Sequence, residues 1–342
     1  MEATIMRRWM LKAGVTDIDG LVLEDDVPMP MPAPGEVRVR VHAVSLNARD
    51  TMILNNVFGR TPGRDMVPVS DGAGEIDALG AGVEQWAVGD RVTAMYLRGW
   101  VDGPPNANIG TGLGSFEQDG MLTEYIVLPA ERVVRMPASL DYAEAATLPC
   151  AALSAWNALY GDHPIGPGSK VLTLGTGGVA LFVLLLARVV GAQTIATTSQ
   201  DSKTERLRAL GASDVVNYRA IADWGQEVFK RTGGVDKVVD TVGIGGVNQS
   251  MAALLPGGEV AVVGVMDAGD KPPDSWLLVT RSLSIRGISV GNVKMYDAMC
   301  AAIDTHRLKP PLARRLRFED AKEAYRAQAS PETFGKIVID VA

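Results

Sequence analysis

Two rhythms of apolar and polar positions divide the chain. Residues 37–43 read VRVRVHA. Val37, Val39, Val41 and Ala43 fall on one face, and Arg38, Arg40 and His42 on the other. That is the period of a half-buried strand. It follows the turn-rich run PMPMPAPGE. The stretches VSDGAGEIDALGAGV, VGDRVTAMYL and LTEYIVLP continue as short strands punctuated by Gly and Asp. Residues 99–120 have no period and read as a surface loop, either beside a cleft or as an idle insertion.

From Lys170 the rhythm changes. KVLTLG, QTIATTS, DVVNY, DKVVDTVG and EVAVVGVM read as strands. VALFVLLLARVVG, DSKTERLRALG, ADWGQEVFKRTG and VNQSMAALL read as the helices between them, and LSIRGISV closes the series. Alternation at this length predicts an α/β fold with a parallel, doubly wound sheet and helices on both faces. Strands that are apolar throughout fit burial on both sides. After Gly291 a helical stretch leads to FGKIVIDV, a terminal strand expected to rejoin the first part. The expected domains are therefore 1–150 with 291–342, and 151–290.

One of the most apolar runs, VLTLGTGGVALFVLLLARVVGA at 171–192, is not a membrane span. Spanning needs about 20 uninterrupted apolar residues. Here Gly175, Gly177 and Gly178 open the run and Arg188 breaks it. In its context of strand, glycine turn and helix, Gly175-Thr176-Gly177-Gly178-Val179-Ala180 is a dinucleotide-binding fingerprint. Gly175 permits the tight turn, Gly177 admits a pyrophosphate, and Ala180 lets the helix pack on its strand. The helix N-terminus supplies free N–H groups and partial positive charge. The second strand ends at Ser199, where an NAD binder would place an acid on the ribose hydroxyls. Lys203 follows in the next helical turn, with Asp201 read as its N-cap. This charge pattern favours NADPH over NADH.

Composition removes other classes. The chain has 342 residues, 47% hydrophobic and 21% charged, with a formal net charge of -7. That balance argues against nucleic acid as a partner. The first residues lack the apolar core of a signal peptide. Cys150 and Cys300 are the only cysteines; they imply no disulfide framework and suit a reducing cytoplasm. With two Cys and three His in the whole chain, a structural zinc site is not expected.

The pieces PGEVRVRVHAVSLNARD, VSDGAGEIDALGAGVEQWAVGDRV, EAATLPCAALSAWNAL, LGTGGVALFVLLLARVVGA, LRALGASDVVNY and FGKIVI together resemble the medium-chain dehydrogenase/reductase family over essentially the whole chain. The resemblance implies a GroES-like β domain, a Rossmann domain inserted in it, and a cleft between them. It also implies a homodimer joined through an edge strand, here SLSIRGISV. Where zinc-dependent members place three catalytic ligands, this chain has Asn47, Ser70 and Cys150. The four-cysteine loop of their structural zinc is absent. One soft ligand of three cannot hold catalytic zinc. The resemblance is therefore to the zinc-free branch of quinone oxidoreductases and enone or enoyl reductases.

Within that branch, Asn47 matches an Asn whose amide bonds a substrate oxygen or the cofactor; alternatively it caps its own loop. Asp50 is expected to hold that loop. Cys150 is expected as a small residue lining the nicotinamide pocket. Tyr218 matches a position near the adenosine phosphate, and Lys336 one near the cofactor phosphates or in solvent. Gly264, Val265 and Met266, with Ile288, Ser289 and Val290, match segments passing the nicotinamide. The Tyr that many enoyl reductases use as proton donor corresponds here to NNVFGR, with Phe58. Tyr96, Tyr125 or water remain open as substitutes.

Without metal, only hydrogen-bond donors can steady the charge that develops on a hydride acceptor's oxygen. Quinones and conjugated enones spread that charge and need least help. The expectation is an NADPH-dependent reductase of such small molecules. A zinc-independent alcohol or ketone oxidoreductase and a non-catalytic NADPH-binding protein are the alternatives.

Overall fold

The computed structural model describes residues 4–105, 109 and 112–341. Two compact units divide the chain after Cys150 and again after Gly291; the first resumes at Asn292.

The first unit opens with an antiparallel pair, β1 (Ile5–Leu11) and β2 (Leu21–Pro28). Trp9, Met10 and Leu11 are buried, and Trp9 Nε1 donates to the Phe318 carbonyl at 2.8 Å. A sheet follows, built from β3 (Glu36–Ser45), β4 (Asp71–Leu79), β5 (Arg91–Ala94), β6 (Tyr125–Pro129) and β7 (Val133–Arg135). β3 pairs antiparallel with both β4 and β6. The alternation in β3 has the expected consequence. Val37, Val39, Val41 and Ala43 are buried, whereas Arg40 is exposed. Residues 106–108, 110 and 111 of the expected loop lie outside the described residues. Its described part is more than surface: Trp100, Leu113 and Ser115 are buried.

The second unit is one parallel sheet. Its strands are β8 (Lys170–Thr173), β9 (Gln193–Thr198), β10 (Ala212–Asn217), β11 (Val235–Asp240), β12 (Leu254–Val262) and β13 (Ser284–Gly287). Their spatial order is β10-β9-β8-β11-β12-β13, the doubly wound order of a Rossmann fold. The helix Gly178–Ala187 buries every residue from Ala180 onward. Each fully buried Leu or Phe there contributes about 1.5–3 kcal/mol. Among the described residues no helix is long and apolar enough to cross a membrane. A helix at Ser275–Thr280, invisible to periodicity, precedes β13.

The chain then returns to the first unit. β14 (Leu312–Arg317) pairs with β15 (Lys336–Asp340), and β15 lies antiparallel to β3 with Val338 opposite Ser45. This pairing brings Lys336 to the end of β3, beside Leu46 and Asn47.

Candidate functional site

In the second unit, the expected cofactor residues gather at the carboxyl ends of the parallel strands. Gly175 follows β8 at φ +80, a conformation that favours glycine. A Cβ at Gly175 or Gly177 would meet nothing within 4 Å, so both glycines face open space. Gly177 is the N-cap of Gly178–Ala187 and provides no side-chain cap. The first N–H groups of that helix have no intrahelical partner, by helix geometry. The Gly175 N–H donates to Thr197 Oγ1 at 3.1 Å. These residues fit a dinucleotide pyrophosphate.

Ser199 follows β9 and Tyr218 follows β10, with the Tyr218 N–H donating to the Thr198 carbonyl at 3.0 Å. Gly264, Val265 and Met266 follow β12, and the latter two side chains are exposed. Ile288, Ser289 and Val290 follow β13, where the Ile288 N–H donates to the Val262 carbonyl at 2.9 Å.

Two details differ from expectation. Asp201 is not a helix cap but the first residue of a 3-10 turn, Asp201–Lys203, where it accepts from Asn217 Nδ2 at 2.8 Å. Lys203 is 6% exposed, and its Nζ donates to Thr176 Oγ1 at 3.2 Å. It therefore braces the glycine loop as well as bringing positive charge to it. Arg219, exposed and next to Tyr218, is a further cation at this end of the sheet that the pattern reading missed.

The first unit holds a buried polar cluster. Asn47 ends β3's approach in extended conformation and starts the helix Ala48–Leu54. Its backbone N–H donates to Asp50 Oδ2 at 2.7 Å. Its side-chain Oδ1 accepts from Lys336 Nζ at 2.5 Å, and the same ammonium donates to the Leu46 carbonyl at 2.5 Å. Asn47 is 9% exposed, and its Nδ2 has no hydrogen-bond partner. Asp50 thus holds the loop, and the Asn47 amide is left with a buried, unused donor.

The expected place of Lys336 needs correction. It is 2% exposed, with its ammonium committed to Leu46 and Asn47. It holds Asn47 and is shielded from solvent. Burial pulls its pKa down, opposed by Asp71, Cys150 and Asp50.

Around this pair, Ser70 Oγ donates to Asp71 Oδ1 at 2.7 Å, and Asp71 Oδ2 accepts the Cys150 N–H at 3.2 Å. Desolvation, and behind it the Asp71 charge, push the Cys150 thiol up to about 12. Arg49 Nη2 meets Asp50 Oδ1 at 3.3 Å, and Arg49 Nη1 meets the Tyr96 hydroxyl at 3.4 Å. The Arg49–Tyr96 contact was not legible from spacing, because the residues lie on separate elements.

The family pattern of the alcohol dehydrogenase GroES-like domain matches residues 33–138, and that of the zinc-binding dehydrogenase matches residues 178–305. A zinc-type alcohol dehydrogenase-like protein of Schizosaccharomyces pombe is 36% identical over 307 residues, 87% of this chain and 89% of its own. The chain is a medium-chain dehydrogenase/reductase. This family of NAD(P)-dependent oxidoreductases also supplies the similar solved structures. A candidate alcohol dehydrogenase of Sinorhizobium meliloti 1021 superposes with TM-score 0.91 at 36% identity, covering 100% of both chains. An NAD-dependent alcohol dehydrogenase superposes with TM-score 0.87 at 31% identity, covering 98% of this chain and 100% of its own.

The zinc in one family description does not suit this chain's donor set. Zinc needs deprotonated thiols, imidazoles or carboxylates. Here Asn47 faces an ammonium and the Ser70 hydroxyl is spent on Asp71, which leaves Cys150 as one soft ligand of the three. Among the described residues, no three His, Cys, Asp or Glu side chains could together hold a metal ion.

Proposed function

We propose that this chain is a metal-independent, NADPH-dependent reductase of conjugated enones and quinones. The observation that carries the reading is the Asn47 amide, whose oxygen is held by Lys336 and whose buried Nδ2 donor is unused. A buried donor without a partner costs about 1–3 kcal/mol. That cost is recovered when an acceptor oxygen arrives, and more fully when the oxygen carries charge. The Lys336 ammonium on Oδ1 polarises the amide and strengthens the opposite N–H as a donor. Asn47 is thus the group assigned to the developing oxyanion, in place of a Lewis acid.

The second unit is assigned the cofactor, with Gly175, Thr176, Gly177, Gly178 and Val179 at the pyrophosphate. Ser199, Lys203 and Tyr218 are assigned to the adenosine end. The segments at 264–266 and 288–290 are assigned to the nicotinamide. When bound, the reduced nicotinamide supplies a hydride to an electrophilic carbon. Ser199 leaves the ribose 2′ position without a repelling acid, and Lys203 brings a cation near it; both support NADPH. Cys150, whose backbone N–H is held by Asp71, is assigned to the nicotinamide pocket as a small packed residue. Dimerisation through β13 is proposed on its edge position in the sheet.

The second reading, a zinc-independent alcohol or ketone oxidoreductase, is favoured by the names of the similar proteins. An NADPH-consumption panel separates the two. Rapid turnover with an enone and a quinone and slow turnover with a simple ketone supports the proposal. The reverse order supports the alternative, and no turnover leaves only cofactor binding.

A further inference from the structure

We propose that Tyr96 is the proton donor of this reaction and that Arg49 positions its hydroxyl; this rests on the reductase reading above. The sequence left three sources of the proton open. The structure ties one phenol to Asn47.

Tyr96 lies just beyond β5. Its hydroxyl accepts from Arg49 Nη1 at 3.4 Å, and the guanidinium carbon stands 4.6 Å from its ring centroid. The Tyr96 carbonyl is fixed by the Leu113 N–H at 3.0 Å and by Arg132 Nη2 at 2.8 Å. Gly112 packs so closely on the ring that a Cβ there has no room. Arg49 and Gly112 therefore both hold the ring. Arg49 also binds Asp50 Oδ1 at 3.3 Å, and the other Asp50 oxygen takes the Asn47 N–H at 2.7 Å. One short run, 47–50, thus sets both the amide assigned to the oxyanion and the phenol assigned to the proton.

The charged and titratable groups around Tyr96 are Arg49 and Asp50 from their helix, Cys150, and Arg132 on its carbonyl. Burial raises the Tyr96 pKa, and Arg49 opposes the rise. The phenol therefore keeps its proton near neutrality, and Arg49 stabilises the phenolate once the proton leaves. Tyr125 sits differently: it begins β6, with the Arg38 guanidinium 5.6 Å from its ring centroid.

The step balances. Hydride, with its electron pair, forms a C–H bond at the substrate's β-carbon, and the C=C electrons move into an enolate. The Tyr96 O–H bond breaks, and its proton forms the new bond at the α-carbon. Water then reprotonates the phenolate. The substrate gains two electrons and two hydrogens, and the nicotinamide is oxidised by two electrons.

The test compares wild type, Tyr96→Phe, Arg49→Lys and Tyr125→Phe with NADPH and 2-cyclohexenone, in H2O and D2O. Folding is checked by thermal melting and NADPH affinity is measured separately. Tyr96→Phe is expected to lower turnover about 10²-fold, the lower range for a lost general acid, and to change the solvent isotope effect with NADPH affinity intact. Tyr125→Phe is expected to match wild type. If Tyr96→Phe does not fold, Arg49→Lys carries the test; it keeps the charge, loses the fork, and is expected to slow proton delivery. Wild-type turnover and isotope effect in Tyr96→Phe, or in Arg49→Lys when it stands in, overturns the proposal while the reductase reading survives. A wild type that oxidises NADPH with neither enone nor quinone overturns that reading and this proposal with it.

Discussion

The Lys336 ammonium lies 2.5 Å from Asn47 Oδ1, and the two residues are 289 positions apart in the chain. The contact settles which way the Asn47 amide faces. Its oxygen is on the cation, so its Nδ2 is the buried donor left without a partner. β15 makes this possible by pairing with the end of β3. A strand register thus produces an oriented amide.

Zinc is expected to be dispensable. Purified protein is predicted to contain no stoichiometric zinc, and chelators are predicted to leave NADPH oxidation unchanged. The reason is the donor set of Asn47, Ser70 and Cys150. Elemental analysis showing one tightly bound zinc per chain, lost together with activity, contradicts this.

NADPH is expected to be preferred over NADH. Replacing Lys203 by Ala is predicted to weaken NADPH binding by about 1.5–3 kcal/mol, the range for a hydrogen bond to a charged group. NADH binding is predicted to fall less, through the lost contact with Thr176. Titration of both cofactors checks this. Equal weakening of the two reduces Lys203 to a brace of the glycine loop.

The two cysteines set an alkaline limit. Cys150 and Cys300 are both pushed by burial from an ordinary 9.0 to about 12. A folded pKa raised above the unfolded one gives stability that is fully present below the unfolded value. It is lost as pH rises from about 9 toward about 12, because the unfolded chain can ionise its thiols and the folded chain cannot. Melting temperature is predicted to fall across that window, less steeply in Cys150→Ala/Cys300→Ala than in wild type. Near neutral pH both thiols are predicted to react slowly with iodoacetamide. Fast alkylation of native protein contradicts the assignment.

Much of the fold was legible because each element's burial leaves its own period. The β3 alternation marks a sheet with one packed face, and the apolar strands from β8 to β12 mark one covered on both. The glycine loop was legible because strand, turn and helix are contiguous. What escaped depends on distant pairing. Lys336 was read as a phosphate or solvent residue, since nothing near it in sequence reveals that β15 delivers it to Asn47. Asp201 was read as a cap because the competing donor, Asn217, comes from the next strand. Arg49 and Tyr96 meet only after their separate elements fold together. The β1–β2 pair was hidden by the mixed polarity of its strands, whose apolar residues pack on Phe318 and its neighbours.

The central claim is that the Asn47 Nδ2 donor carries the oxyanion. Its most direct test is single-turnover NADPH oxidation with 2-cyclohexenone in wild type and Asn47→Ala, with NADPH affinity and thermal stability measured alongside. Losing one such donor is predicted to slow hydride transfer by about 10²–10³ while NADPH binding is retained. A quinone, whose charge is already spread, is predicted to suffer less. A variant that melts earlier but transfers hydride at the wild-type rate contradicts the account and makes Asn47 a structural part of its loop.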